Sequence, residues 1–457
     1  MTSEVKLNGE SRSFLQGKTD EIVRASFTLI VILFSVASFW LTFGSANDVL
    51  SCCDTWQYIA GGKTLFNSGL LEKTPGYGYR SYLSFGITHI IALIGKPILA
   101  LAEFKVIIPA FIDPNSGPNA VQYVAGAGFV HLLIATALIW SQRLTPIFFI
   151  SFAAIYLNPL LLIYIPYPLQ EGQFFLLAAP LLILILNSKN RGARFFALVG
   201  TFAGIVTMLK SSFILMILPI ALFAYVNLRK SDDVKRSLAA MLIPFAILIL
   251  PQSTRALAHY STPFPYPDQR VLPMQLSWGV EVWKFDTWLA PDGFRGRKYK
   301  TPFAPRLKED GFYKSNPAAA ALLWIGHTLS AFDYSHLRPY PVVEKAPLVS
   351  IFNLASFAIL FIGVATSIQI YVKRLATDND ILIDGLALAT LAVIPLIAPE
   401  TRFGSVTLAM MTIRSLKATQ MSWSRSELAL LSFGLLAFML TALLAVFQIN
   451  AAAGVSP

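Results

Sequence analysis

Runs of about 20 apolar residues recur along this chain, the length a helix needs to cross a bilayer, and few folds can absorb them. The run at 25–44 is apolar on every face rather than on one, which suits a helix surrounded by lipid. Barrel strands are excluded, because their apolar and polar residues alternate. An ordinary soluble globule is excluded too: charged residues make up 13% of the chain, against about 25% in soluble domains. The expected fold is an all-α polytopic transmembrane helical bundle.

The candidate spans are 25–44, 82–95, 97–111, 120–141, 144–164, 170–186, 195–209, 211–228, 237–251, 348–372, 381–398, 403–413 and 427–449, or about 11–13 spans. The second and third also fit one re-entrant hairpin around Lys96-Pro97. No internal repeat is visible.

The net charge of +11 sits mostly in short clusters at the ends of these runs. With the N-terminal tail 1–24 in the cytoplasm, strict alternation puts four clusters on the same side. They are Lys189, Arg191 and Arg194; Arg229, Lys230, Lys235 and Arg236; Lys373 and Arg374; and Arg414, Lys417 and Arg425. Short cytoplasmic loops are basic for this reason, so the charge reads as orientation rather than as a nucleic-acid surface. No nucleic-acid partner is expected. The first apolar run lacks a small-residue cleavage site and reads as an anchor. Cys52 and Cys53 are too few and too close for a disulfide framework.

This topology divides the chain into a cytoplasmic tail (1–24), an N-terminal membrane module (25–251) with an outer loop at 45–81, an extracytoplasmic loop (252–347) and C-terminal helices (348–457). The long outer loop, with a helical insertion near 318–332, is too large for a passive connection. Its Arg255, His259 and Trp278 interleave basic and aromatic groups as a sugar- or phosphate-binding surface would. Most such residues in a folded loop simply pack against one another. Asp378-Asn379-Asp380 has a metal-binding look, but its place in a cytoplasmic turn predicts a solvated helix N-cap.

Several charges fall on the outer side. Asp54 stands at the start of a short amphipathic helix and shares a face with Tyr58. Glu171 lies at the mouth of the sixth span, Lys210 at the end of an outward-running helix, and Glu400 and Arg402 in a tight outer turn. A structural role accounts for any one of them taken alone, since snorkelling makes an interfacial charge cheap. Together they suit one reaction class. Arg402 and Lys210 can hold a phosphate, and a carboxylate can accept the proton of an attacking hydroxyl.

These residues also carry a family resemblance. Asp54-Thr-Trp-Gln-Tyr58 with Ala60, Leu65 and Gly69 resembles the first-loop signature of GT-C-fold glycosyltransferases of the dolichyl-phosphate-mannose and aminoarabinose transferase type. Gln170-Glu171-Gly is similar to their second acidic position, and Glu400-Thr-Arg402-Phe403 to their late Glu-x-Arg-aromatic turn. The resemblance implies a GT-C-type bundle with a large extracytoplasmic loop. It implies transfer of a sugar, with inversion, from a polyprenyl-phosphate donor to a glycan, lipid or protein acceptor at the outer face of a bacterial inner membrane.

It further implies that Asp54 is the general base, that Glu171 positions acceptor or metal, and that Arg402 and Lys210 bind the donor phosphate. Tyr58, Glu400, Arg255, His259 and Trp278 would then contact substrate. Thr55 stands where some members carry a second acid, which leaves a divalent cation open as a cofactor, and the five His supply no metal motif. Two other readings compete. An O-antigen ligase or polymerase would depend on Arg255 and His259 and not on Asp54. A lipid-linked sugar transporter or flippase would need charges at mid-membrane.

Overall fold

The computed structural model describes residues 9–43, 53–71, 80–102, 120–268, 270–285, 298–300, 316–334, 346–397 and 401–452. In chain order the helices are α1 (Gly9–Phe43), α2 (Cys53–Ser68), α3 (Tyr82–Ala102), α4 (Ala120–Ser141) and α5 (Pro146–Tyr156). Next come α6 (Gln170–Asn187), α7 (Ala193–Leu209), α8 (Ser211–Leu228) and α9 (Val234–Tyr260). The last six are α10 (Val271–Glu281), α11 (Pro317–Ser330), α12 (Ala346–Val372), α13 (Asp378–Leu391), α14 (Ser405–Ala418) and α15 (Arg425–Ala452). One antiparallel pair of strands, β1 (Val282–Phe285) and β2 (Lys298–Lys300), is the sheet among the described residues. Among the described residues eight helices are long and apolar enough to cross a membrane, and α5 and α7 are shorter apolar helices. The chain is a polytopic helical membrane protein.

Burial sorts the helices into layers. The aromatic core is built from Phe148 and Phe152 of α5, Phe174 and Phe175 of α6, and Phe196 and Phe202 of α7, with most of α14 enclosed beside them. Outermost are α9 and α15, which expose Ile243, Ile247 and Leu250, and Leu430, Phe433 and Leu440. Exposed rows of this kind are what lipid covers.

Prolines and polar residues mark where the expected spans are redrawn. The 82–95 and 97–111 segments do not form a hairpin at Lys96-Pro97, because α3 runs straight through Pro97. Proline is tolerated in membrane helices where neighbouring groups re-satisfy the freed carbonyl. Segment 144–164 is broken instead. Thr145 caps α5 by accepting the Phe148 N–H, and the helix stops before Asn158-Pro159. The Asn158 side chain accepts the Leu160 N–H to start a single turn, Pro159–Leu162. At the other extreme, α9 passes through Pro244 and Pro251 and ends at Tyr260, nine residues beyond the expected 251.

Close helix pairs rest on glycine. A Cβ at Gly126 of α4 would sit 1.9 Å from the Ile91 carbonyl oxygen of α3, and one at Gly95 would sit 1.7 Å from that of Gln122. The two backbones touch there, as small residues allow between membrane helices. G126A is expected to force them apart and cost about 1–3 kcal/mol. Thermal unfolding in detergent measures this, and a midpoint equal to that of the unsubstituted protein would contradict the close approach.

The basic clusters gather at one end of the bundle. Arg191 donates to Asn379 at 3.2 Å, Lys230 pairs with Asp378 at 2.7 Å, Lys417 with Asp380 at 2.7 Å, and Lys373 with Glu427 at 2.9 Å. The expected solvated N-cap at Asp378–Asp380 is corrected here. Thr377 is the N-cap, and Asp380, the third residue of the helix, closes a capping box and is almost fully buried. It accepts from Arg414 and Lys417, while Asp384, one turn on, accepts from Arg414 Nε at 2.7 Å. Arg414 is therefore not a loop charge but the centre of a buried ion cluster joining α13 to α14.

Candidate functional site

The end of α7 furthest from the basic clusters is where the candidate residues meet. The last carbonyls of a helix lack partners within it. Here other elements satisfy them: Tyr266 donates to Thr207 O at 2.7 Å, Ser84 to Leu209 O at 3.0 Å, and Ser81 to Met208 O. Three polar side chains from two segments thus fix the end of α7. Lys210 follows in an extended conformation, with φ −150° and ψ 138°, and the chain then turns into the 3-10 start of α8.

Glu171 arrives from the opposite direction. The turn 163–169 ends at Leu169, and α6 begins with Gln170 and Glu171. Gly172 is required beside it, since a Cβ would lie 2.4 Å from the Tyr164 carbonyl oxygen. Gln173 anchors the same turn to α3 by donating to Ser84 O at 3.1 Å and Thr88 Oγ1 at 2.8 Å. Residues Phe174–Ala178 then form a π-helical segment, a local widening often found at functional sites. The buried Glu171 carboxylate meets Lys210 Nζ at 2.6 Å through Oε1. Its Oε2 is buried with no hydrogen-bond partner among the described residues.

Arg402 completes the group. It sits in a 3-10 turn, Thr401–Gly404, immediately before α14, nearly buried, and its charge acts on the Glu171 carboxylate together with that of Lys210. The next residue, Phe403, places its ring 3.8 Å from Lys210 Nζ and 5.3 Å from the Arg402 guanidinium carbon. A small cleft of ≈ 20 Å³ opens beside them, lined by Lys210, Phe213, Thr390, Ile394, Ile397 and Phe403. Lys210 therefore joins the Glu171 carboxylate to a mostly apolar cleft, with Arg402 next in sequence to the cleft-lining Phe403.

Residues 316–334 pack onto this region. His327 of α11 donates from Nδ1 to Pro395 O at 2.8 Å, Tyr334 donates to Leu160 O at 3.1 Å, and Gly404 lies against the Ala331 carbonyl. Trp278 is half-buried on α10, where its neighbour Gly279 lies against Leu396 and Ile397 at the cleft.

Asp54 is the second residue of α2, and its side chain lies outside the described residues, as does Glu400 altogether. The stripe of α2 that packs on α3 is Tyr58, Gly61, Gly62 and Leu65, and position 54 falls one turn before Tyr58 on that stripe. Tyr58 itself is buried against Phe85, with the Arg80 guanidinium over its ring at 4.9 Å.

Arg255 and His259 are not loop residues, contrary to expectation, because α9 continues to Tyr260. Arg255 is fully buried and donates to Gln252 Oε1 at 3.3 Å, while the His259 ring N–H donates to the Leu71 carbonyl. Beyond α9, Arg270 forms a two-pronged ion pair with Asp268, whose carboxyl it holds below the usual range by hydrogen bonding.

Two buried groups were missed in the sequence, Arg80 and Gln252. Gln252 accepts from Tyr82 N at 3.0 Å and donates to Pro265 O at 2.9 Å, tying α3 to α9. A cation directly before an apolar run was the available signal for Arg80. Among the described residues no group of three or more His, Cys, Asp or Glu could hold a metal ion. At the site itself the described carboxylate is taken by an ammonium, a donor set that does not fit a divalent cation. Comparison with protein-family models, with curated proteins and with solved structures yields no match.

Proposed function

We propose that the chain is a membrane glycosyltransferase of the polyprenyl-phosphate-dependent kind, acting at the extracytoplasmic face. The observation that carries this reading is the meeting of Glu171, Lys210 and Arg402 beside an apolar cleft, at the end of the bundle opposite the basic clusters. The basic end marks the cytoplasmic side, with the N-terminus there, by the positive-inside rule. A bacterial inner membrane suits that arrangement.

In this reading Lys210 and Arg402 hold the donor phosphate, and Glu171 keeps the Lys210 ammonium in place. The unmet Oε2 of Glu171 is an acceptor for a hydroxyl, and such a buried atom gains about 1–3 kcal/mol on finding a donor. The hydroxyl oxygen of a glycan, lipid or protein acceptor attacks the anomeric carbon. The bond from that carbon to the phosphate oxygen breaks, polyprenyl phosphate leaves with the electron pair, and Asp54 takes the hydroxyl proton. Configuration at the carbon inverts.

The test is release of polyprenyl phosphate from a panel of polyprenyl-phosphate-linked sugars by the purified protein in liposomes. K210M and R402Q are each expected to lower turnover by about 10²-fold or more, the scale found when a group stabilising developing charge is removed. Turnover at the unsubstituted rate in both variants would reject the assignment. So would a donor that crosses the bilayer without any covalent change, which is the behaviour of a transporter.

A further inference from the structure

We infer that Phe403 is a positioning residue for the phosphate-binding cation, an inference that rests on the reading proposed above. A lysine side chain is flexible, and its ammonium goes where its surroundings hold it. A carboxylate and two aromatic rings are among the neighbours of Lys210. Glu171 Oε1 is 2.6 Å away, the Phe403 ring centre 3.8 Å, and the Phe213 ring centre 5.6 Å. Only the first of these competes with a phosphate for the N–H groups of Lys210. The negative face of an aromatic ring attracts the charge without taking a hydrogen bond.

Phe403 can therefore support the ammonium both when it bonds to Glu171 and when it turns its N–H groups to an incoming phosphate. The ring is close to both cations, 3.8 Å from Lys210 Nζ and 5.3 Å from the Arg402 guanidinium carbon. Its own position is fixed from below. Phe403 belongs to the turn Thr401–Gly404, and Gly404 is pressed against the Ala331 carbonyl, where a Cβ would approach to 2.6 Å. The ring lines the cleft as well, so it joins the charged and the apolar parts of the site.

The experiment uses the full chain in nanodiscs and measures binding of a long-chain polyprenyl phosphate. A trifluorinated phenylalanine at position 403 keeps the shape of the ring while weakening its negative face. It is expected to weaken binding about three- to thirtyfold, at an unchanged unfolding temperature. In a K210M background the same fluorination is expected to cause no further loss, because the ring acts through Lys210. Unchanged binding on fluorination, or an equal loss in both backgrounds, would overturn the inference. Equal binding of the uncharged polyprenol would also overturn it, since a neutral alcohol gains nothing from a held ammonium. Failure of the underlying reading looks different: K210M and R402Q would then bind the lipid phosphate as tightly as the unsubstituted chain.

Discussion

D54N is expected to abolish sugar transfer, lowering turnover by about 10²–10⁴, while the protein folds and inserts as before. The substitution separates two roles. As the second residue of α2, Asp54 sits where a carboxylate favours the helix start, and asparagine remains a good hydrogen-bond acceptor there. What asparagine cannot do is take a proton. If Asp54 serves only the helix, D54N will turn over like the unsubstituted chain. If it is the base, activity is lost and the unfolding midpoint does not move. Measured together, rate and midpoint decide between them.

R414M is expected to have the largest effect on stability. Arg414 is completely buried between Asp380 and Asp384, with Lys417 and Thr377 on Asp380 and Ser367 on Asp384. Removing the guanidinium leaves two carboxylates short of their charge partner in a dry interior, at a cost of about 3–5 kcal/mol. The damage should reach the candidate site. The turn bearing Arg402 and Phe403 leads directly into α14, and Thr390 and Ile394, just before and after the end of α13, line the cleft. Adding D380N and D384N to R414M is expected to recover part of the loss, because no buried carboxylate is then left without its guanidinium. Thermal unfolding in detergent reads both effects. An R414M midpoint equal to that of the unsubstituted protein would show that the cluster contributes nothing.

How far residues alone reveal such a molecule depends on the range of the forces involved. Spanning helices are dictated by local apolar length, so their existence is legible from runs such as 211–228 and 427–449. The common end of the basic clusters follows from counting, and Arg191, Lys230, Lys373 and Lys417 do meet there through ion pairs and hydrogen bonds. Helix limits are less legible. Pro97 and Pro251 suggest stops, yet both lie inside helices, because packing and membrane burial outweigh one lost hydrogen bond. Asn158-Pro159 does break its helix, since the Asn side chain offers the backbone an alternative partner.

Buried charge is the least legible feature. Asp380 and Arg414 read as polar loop residues because their partners lie 34 positions apart in the chain. For Glu171 and Lys210 the pairing distance, 2.6 Å, is equally a tertiary fact. Sequence order could suggest that they share one side of the membrane, but not that each is the other's partner. Nor could composition show that α9 extends to carry Arg255 and His259, with Arg255 fully buried, since only the full helix length reveals it.

The decisive measurement is a structure of the full chain with a polyprenyl phosphate bound. The phosphate is expected within hydrogen-bonding distance, about 3 Å, of both Lys210 and Arg402, with the first isoprene units in the cleft beside Phe403 and the Asp54 carboxylate facing the same space. A phosphate lodged elsewhere, or an Asp54 carboxylate at the far rim from Arg402, would contradict the proposed sugar transfer and leave a helical membrane protein without it.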